Sequence, residues 1–284
     1  MPAYGIHPTP QIWQVKRAKG KEQMPFAPAE EAQIHYRFEG NPEMPVLVLS
    51  NSLGADLSMW DAQVPAFAQH FHMLRYDSYG HGASTLGADE FGIDKLGQDV
   101  VRLLDHLELS TVSFCGLSVG GLVGQWLGRH EASRVEKLVL CNTAARIGTV
   151  ESWNARIDAI NKGGISSISK AILERWFTAA FHEREPDTVD RFRKILEATP
   201  AESYIATCAA IRDADLRGDV AKIRAKTLVI AGTQDKATPP EGGRFLAERI
   251  PGSKYVEFDT AHLSNVGLPQ RFSEEVVKFL TQAE

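Results

Sequence analysis

The chain has 284 residues, of which 43% are hydrophobic, and it carries a formal net charge of -5 with an isoelectric point near 6.0. This length suits one large domain, or one domain that carries an inserted subdomain, and we favour the second arrangement. The acidic balance, without a basic block interleaved with aromatic residues, argues against nucleic acid as a partner.

The three cysteines, Cys115, Cys141 and Cys208, are widely spaced and form no C-x-x-C metal or redox motif. They lie in apolar or alanine-rich runs, which is typical of small buried side chains. No apolar run reaches the roughly 18 residues of a membrane span, and the N-terminus lacks the hydrophobic core of a signal peptide. We therefore predict a cytoplasmic protein without membrane association.

The first segment, residues 1–23, is rich in proline and basic residues and shows little apolar periodicity. We expect an N-terminal extension outside the core, since Met24 begins a more typical opening. A basic arm that binds a partner is the alternative, but a charge run this short seldom has that role.

Strand patterns begin at residue 33. Residues 33–38 alternate apolar and polar positions, which predicts a half-buried strand, and residues 46–49 form an apolar run that indicates a strand buried on both faces. The loop at 50–54 follows the buried strand, where α/β proteins bind their ligands. The backbone N–H of Leu53 is therefore a candidate for an oxyanion hole, although the loop also suits a simple tight turn.

A strand at 72–76 and an amphipathic helix at 92–109 follow, the helix because its apolar residues recur every three or four positions. His81 stands in the turn between these elements and is a candidate base. A histidine flanked by two glycines is more often structural, and we favour that interpretation.

The motif at residues 116–120, G-L-S-V-G, follows an apolar strand-like segment and precedes a helix-like run. This context predicts a nucleophile elbow, a sharp turn that lifts the Ser118 hydroxyl above the end of the sheet. Gly116 and Gly120 lack the Cβ atoms that would collide with the neighbouring strand and helix. The new helix would direct the N–H of Val119 towards developing negative charge. Alone, the motif also suits a Gly-Ser turn without catalytic function.

Residues 135–140 predict another buried strand, and the segment after it changes character. Residues 144–217 lack short Val/Ile/Leu runs and show helical spacing of their apolar residues. We predict a helical cap at 144–217, inserted into a core formed by residues 24–143 and 218–284.

Strand patterns return at 227–231 and 255–258 and end in loops that hold Asp235 and His262, and a closing helix is predicted at 269–283. Ser118, Asp235 and His262 thus follow three strands in the order of a Ser-acid-His triad. Such a triad needs an alcohol to attack, an imidazole to move its proton and a carboxylate to fix the imidazole's tautomer. Asp259 is a rival acid, although an exposed strand-end aspartate is the simpler interpretation.

From about residue 33 onwards, the chain resembles the α/β-hydrolase family and, in several stretches, its enol-lactonase branch. These stretches are residues 51–61, 75–77, 116–121, 142–148, 175–177 and 261–265, together with Trp153, Arg156 and Ile157. Tyr79 departs from the arginine that the family often has there. The resemblance implies an α/β fold with a mostly parallel central sheet, flanking helices and an inserted helical cap.

The resemblance also implies hydrolysis of 3-oxoadipate enol-lactone to 3-oxoadipate, a step of aromatic degradation in the β-ketoadipate pathway, with no metal or organic cofactor. Because the substrate is a small anion, a cationic partner is expected. Trp153 and Arg156 share a face of a predicted cap helix and are the leading pair, with Arg146 as a further candidate. A surface arginine covering a core tryptophan is the alternative for that pair.

Other functions remain open. The chain suits another capped serine hydrolase, such as a carboxylesterase, a lactonase or a hydrolase of carbon–carbon bonds in ring-cleavage products. A binding protein that senses a small ligand is a different class, and an intact triad counts against it. A haloalkane dehalogenase is disfavoured, because its nucleophile is aspartate where this chain has Ser118. The sequence leaves the oligomeric state open.

Overall fold

The computed structural model describes residues 26–29, 32–85, 87 and 91–282. The predicted N-terminal extension at 1–23 lies outside the described residues. The centre of the fold is an eight-stranded sheet with the order β1-β2-β4-β3-β5-β6-β7-β8. Its strands are β1 (Phe26–Ala29), β2 (Ala32–Glu39), β3 (Val46–Ser50), β4 (His72–Tyr76), β5 (Val112–Leu117), β6 (Val135–Cys141), β7 (Lys226–Gly232) and β8 (Lys254–Phe258).

The sheet is mostly parallel, as predicted. Strand β2 is antiparallel to both β1 and β4, and the other pairings, from β4 through β3, β5, β6 and β7 to β8, are all parallel. The central strands β3, β5, β6 and β7 carry the continuous apolar runs, as expected for strands of a parallel sheet whose two faces are both buried. Their carboxyl ends therefore meet at one edge of the sheet.

The helices flank this sheet, and α3 packs against β5 and β6 while α9 packs against β7 and β8. Their bounds are α1 (Val64–Phe67), α2 (Ile93–His106), α3 (Val119–His130), α4 (Val150–Gly163), α5 (Ser166–Trp176), α6 (Ala179–Arg184), α7 (Pro186–Ala198), α8 (Ala201–Asp213), α9 (Pro240–Arg249), α10 (Ser264–Gly267) and α11 (Pro269–Thr281). Short 3₁₀ segments cover Leu57–Gln63 and Val220–Lys222. None of the helices in the described parts of the chain has the length and apolar character that a bilayer crossing requires.

The segment between β6 and β7 holds the five consecutive helices α4 to α8. They pack on one another, α4 against α5 and α8, and α7 against α5 and α6. Buried aromatic side chains fill the space between them, among them Trp176, Phe177 and Phe192. All five helices fall within residues 144–217, and the division into cap and core stays a prediction.

The close approach of backbone at the turn after β5 explains the glycines there. A Cβ atom on Gly116 would lie 2.0 Å from the carbonyl oxygen of Gly120. One on Gly120 would lie 2.4 Å from the carbonyl oxygen of Ser50 at the end of β3. Real Cβ atoms do not approach oxygen this closely, so any larger residue must push α3 away from the sheet.

We therefore expect Gly120→Ala to lower the midpoint of thermal unfolding by about 3–10 °C, because the added methyl group overpacks against rigid backbone. The matched control is Gly218→Ala, since a Cβ atom there meets nothing within 4 Å. Thermal unfolding followed by circular dichroism compares the two variants. Equal midpoints of thermal unfolding for both variants would show that α3 and β3 can move apart without loss of stability.

Candidate active site

Ser118 stands between β5 and α3 in a strained conformation, with φ of 60° and ψ of -117°. Few non-glycine residues adopt such a backbone, which persists only where the surroundings enforce it. Here the Ser118 N–H donates to the carbonyl oxygen of Cys141 at 2.9 Å, and the Ser118 carbonyl accepts from the N–H groups of Gly121 and Leu122. This is the backbone geometry of a nucleophile elbow, and it holds the side chain at the carboxyl end of the sheet.

Asp235 and His262 follow β7 and β8 and form a buried pair, with 2.8 Å between His262 Nδ1 and Asp235 Oδ2. The same oxygen accepts from Asn142 Nδ2 at 3.0 Å and from Thr238 Oγ1 at 2.7 Å. The other carboxylate oxygen accepts from the backbone N–H groups of Ala237 and Thr238. The loops after β7 and β8 thus fix the carboxylate against the imidazole.

The environment of Asp235 favours its ionised form. Burial alone would raise the pKa of this carboxyl group, but the neighbouring His262 and the donors from Thr238 and Asn142 outweigh it and hold the pKa below its usual value. An ionised Asp235 accepts the Nδ1–H of His262, which leaves the other ring nitrogen free to take a proton.

Asp259, the rival acid, lies elsewhere. Its side chain is exposed and accepts hydrogen bonds from Thr233 Oγ1 at 3.0 Å and from Gln234 Nε2 at 2.8 Å. These donors hold the pKa of its carboxyl group below the usual value. The structure therefore brings Asp235, and not Asp259, to His262.

Ser118 and His262 line the same cavity, which has a volume of about 310 Å³. Its core side also includes Leu53 and Thr238. The helices between β6 and β7 supply the opposite wall, which contains Trp153, Arg156, Ile172, Arg175, Trp176 and Tyr204. A cavity of this size, mostly apolar with a few convergent polar groups, suits a small organic ligand.

The backbone N–H groups of Val119 and Leu53, the two candidates for an oxyanion hole, have no protein acceptor among the described residues. Val119 opens α3, and Leu53 lies in the loop after β3 and lines the cavity. The N–H of Gly120 donates to the carbonyl oxygen of Asn51 at 3.1 Å, which ties this loop to the start of α3.

Comparisons with known proteins agree with this geometry. Residues 45–266 match the family model described as the alpha/beta hydrolase fold. The chain belongs to the α/β-hydrolase family. This hydrolase is 40% identical over 248 residues to 3-oxoadipate enol-lactonase 2 of Acinetobacter baylyi, a match that covers 87% of this chain and 93% of the relative.

Two further matches point the same way. 3-Oxoadipate enol-lactonase 1 of the same organism is 35% identical over 239 residues, covering 84% of this chain and 90% of the relative. The crystal structure of the enol-lactonase from Burkholderia xenovorans LB400 is similar with a TM-score of 0.89 and 44% identity, covering 91% of this chain and 100% of that one.

In the hydrolase, Trp153 and Arg156 meet as the helical spacing predicts. The guanidinium carbon of Arg156 lies 4.7 Å from the centre of the Trp153 ring, and the indole N–H donates to the carbonyl oxygen of Ile147 at 2.7 Å. Arg156 is half-buried, and no carboxylate among the described residues pairs with it. A cation with this exposure and no acidic partner is available to an anionic ligand.

The hydrolase also places a buried hydroxyl beside Arg156. Burial raises the pKa of Tyr204 well above its usual value, although the guanidinium groups of Arg156 and Arg175 partly offset this rise. Tyr204 is 1% exposed, so its hydroxyl stays protonated and is a donor in the cavity wall. Tyr204 was not predictable from the sequence, because helical spacing alone does not show which face of α8 meets the cavity.

Two other candidates lie outside the cavity wall. Arg146 pairs with Asp215, with 3.6 Å between Nη1 and Oδ2, so the structure does not bring it to Ser118 and the proposed site omits it. His81 is buried, its Nδ1 lies 3.1 Å from the carbonyl oxygen of Tyr79, and burial lowers its pKa. This contact agrees with the structural interpretation of His81.

Proposed function

We propose that this hydrolase adds water to 3-oxoadipate enol-lactone and releases 3-oxoadipate. The observation that carries the proposal is the shared cavity, which joins Ser118 and the His262–Asp235 pair to the unpaired cation of Arg156. Such a site combines acyl-transfer chemistry with an anion-binding group, as a lactone carboxylate requires. The relatives that carry the name 3-oxoadipate enol-lactonase support the same substrate.

Acylation begins with attack of Ser118 Oγ on the lactone carbonyl carbon, while His262 takes the hydroxyl proton. The backbone N–H groups of Leu53 and Val119 stabilise the tetrahedral oxyanion. The bond between the acyl carbon and the ring oxygen then breaks, and the leaving enolate receives the proton from His262. An enolate leaves more readily than an alkoxide, because its negative charge is delocalised.

Deacylation repeats the sequence with water. His262 takes a proton from water, the hydroxide attacks the ester that Ser118 carries, and the same two N–H groups stabilise the second oxyanion. Collapse returns the proton to Ser118 and releases a second carboxylate. Asp235 stays ionised throughout, holding the imidazole in the required tautomer and stabilising its charged form.

Substrate binding is assigned to the wall opposite Ser118. Arg156 pairs with the carboxylate that the enol-lactone carries, and the Trp153 ring packs beneath the guanidinium and holds its plane. The Tyr204 hydroxyl supplies a neighbouring donor. The mechanism uses only side chains and backbone groups of this chain, with no metal or organic cofactor, and the partner is a small anionic lactone.

The proposed substrate also indicates the metabolic pathway and the cellular compartment. A 3-oxoadipate enol-lactonase acts in the β-ketoadipate pathway of aromatic degradation, which we assign to the cytoplasm. The three cysteines, which are buried and unpaired, suit a reducing compartment.

The experiment that tests the function compares three substrates with the purified protein. These are the enol-lactone, a neutral aryl ester and a ring-cleavage product that requires carbon–carbon hydrolysis, with products identified by nuclear magnetic resonance. We expect 3-oxoadipate as the product and the highest kcat/KM for the enol-lactone. A higher value for the aryl ester would make the protein a general esterase, and turnover of none would favour a ligand-sensing protein.

A charge-dependent variant tests the carboxylate site. We expect Arg156→Ala to lower kcat/KM for the enol-lactone roughly 30-fold, a loss of about 2 kcal/mol in transition-state stabilisation. The value for the neutral aryl ester should stay unchanged. Arg156→Lys should retain part of the activity, because it keeps the charge but loses the two-pronged donor. Steady-state kinetics on both substrates give the comparison.

The matched control is Arg146→Ala, which removes the same charge outside the cavity wall and should leave both substrates unaffected. An equal loss on both substrates for Arg156→Ala would mean that Arg156 supports the fold of the cap. No loss on either would move the carboxylate site to Arg175.

A further inference from the structure

The end of β6 contacts every loop that carries a member of the proposed triad, although it contributes none itself. The carbonyl oxygen of Cys141 accepts from the Ser118 N–H, and Thr143 Oγ1 donates to the Ser118 carbonyl oxygen at 2.8 Å. We propose that residues 141–143 position the whole triad, and that Asn142 is the positioning residue for Asp235 and His262. This inference rests on the proposed Ser118 mechanism.

The Asn142 side chain joins the loops after β7 and β8. Its Nδ2 donates to Asp235 Oδ2 at 3.0 Å and to the carbonyl oxygen of Ala261 at 3.3 Å. Ala261 directly precedes His262, so one amide group holds the carboxylate and the backbone that carries the imidazole. Asn142 is 0% exposed, and water therefore does not compete for these bonds.

The surroundings fix the orientation of this amide. Ser264 Oγ donates to Asn142 Oδ1 at 2.5 Å, while the two groups that face Nδ2, the Asp235 carboxylate and the Ala261 carbonyl, are acceptors. A flipped amide would place its oxygen against the Asp235 carboxylate and the Ala261 carbonyl, which repel it. The Asn142 backbone has φ of 45°, in the left-handed region, and its N–H donates to the carbonyl oxygen of Ile230 at 2.8 Å. Asparagine tolerates this conformation better than most residues.

Asn142 also affects the pKa of the Asp235 carboxyl group. Its donor is one of the groups that hold the pKa of the Asp235 carboxyl group below its usual value. Without that donor the carboxylate becomes more basic and binds the imidazolium proton more tightly. The free base needed for attack then forms only at higher pH, so the acid-side fall in kcat/KM moves upward.

Thr143 acts on the other arm of the triad. Its hydroxyl donates to the Ser118 carbonyl oxygen, and a Cβ atom on Gly121 would lie 2.6 Å from Thr143 Cβ, which shows how tightly the segment after β6 packs against the start of α3. Loss of this hydroxyl removes a hydrogen bond that fixes the Ser118 backbone and leaves the pKa of Asp235 unchanged. The two neighbouring residues therefore have separable effects.

The experiment uses Asn142→Gly and Thr143→Val in the full chain, with two readouts that do not depend on the lactone. These readouts are the pH profile of kcat/KM for a neutral aryl ester and the rate at which a fluorophosphonate labels Ser118, both normalised to the labelled fraction. Glycine accepts a φ of 45° without strain, so Asn142→Gly removes the side chain and leaves the native backbone conformation accessible. Asn265→Ala is the control, since this buried amide donates to Met59 and Gln63.

For Asn142→Gly we expect kcat to fall about tenfold to hundredfold with little change in KM, as for a lost hydrogen bond to a charged group. The acid-side midpoint should rise by at least about half a pH unit. Thr143→Val should slow the labelling of Ser118 and keep the wild-type acid-side midpoint of the pH profile. Asn265→Ala should lower the thermal midpoint only.

A wild-type kcat and a wild-type acid-side midpoint of the pH profile in Asn142→Gly would overturn the proposal. An equal rise of that pH midpoint in Asn265→Ala would overturn it as well. If Asn142→Gly fails to fold, Ser264→Ala gives the decision, because loss of its donor frees the amide and should move the midpoint the same way by a smaller amount. Wild-type protein that is labelled at Ser118 but leaves the enol-lactone intact would contradict the proposed function alone. Absence of labelling would contradict both.

Discussion

Ser118→Ala is expected to abolish turnover of the enol-lactone and of neutral aryl esters while the protein stays folded. The variant removes the atom that forms the acyl-enzyme, and losses of this kind reach about a millionfold in kcat for well-studied triads. Only the oxyanion hole and substrate binding then remain to accelerate the reaction. Initial rates at saturating substrate, with circular dichroism on the same samples, give the measurement.

The fold should survive because alanine and serine meet the same backbone strain at φ of 60°. Ser273→Ala is a suitable control, since its hydroxyl donates to the Pro269 carbonyl oxygen within α11 and lies outside the cavity wall. It should keep wild-type activity. Comparable activity in a folded Ser118→Ala protein would remove the proposed mechanism.

Asp235→Asn is expected to lower kcat by about ten-thousandfold, the loss seen when the acid of a triad becomes an amide. The amide can donate to His262 Nδ1, which is 2.8 Å from Asp235 Oδ2 in the native protein. A donor at that position moves the ring proton to Nε2, the nitrogen that must accept the Ser118 proton. The imidazole then has the wrong tautomer, and the hydrogen bond that Asn142 Nδ2 donates to this position is lost as well.

The matched control is Asp259→Asn, which makes the same chemical change at an exposed strand end and should alter kcat by less than about twofold. Both variants are compared at saturating substrate with the thermal midpoint as a check on folding. A larger loss in Asp259→Asn would reverse the choice of acid.

The main features of the fold could be predicted because buried strands leave a local signal. The runs in β3, β5, β6 and β7 are continuous and apolar, and the first polar residues after them mark the edge where ligands bind. Asp235 was recognisable for this reason, and Ser118 through its flanking glycines. Both depend on a few adjacent residues.

Some elements were not predictable from local pattern. Strand β1 contains a proline in only four residues and owes its place to pairing with β2. Helix α9 begins at Pro240, directly after Pro239, and contains Gly242 and Gly243, which weaken any helical signal. A Cβ atom on Gly243 would lie 3.2 Å from the Ala231 side chain, so the tight packing of α9 against β7 favours a small residue there.

Local sequence pattern also predicted only part of the candidate site. Helical spacing correctly paired Arg156 with Trp153, but it does not show which face of a helix meets a cavity. Arg146 has an acidic partner far along the chain, Asp215, which no local pattern reveals. Asn142 carried the positional signal of a strand end, yet its contacts join loops 93 and 119 residues away, which only the folded chain brings together.

The most direct test of enol-lactone hydrolysis at Ser118 is a titration of the wild-type protein with a fluorophosphonate. Enol-lactone hydrolysis is followed by ultraviolet absorbance, and the modified residue is identified by mass spectrometry. We predict that activity falls in proportion to labelling and reaches zero at one label per chain, on Ser118. Full labelling of Ser118 with undiminished lactone hydrolysis, or no hydrolysis before labelling, would contradict the account.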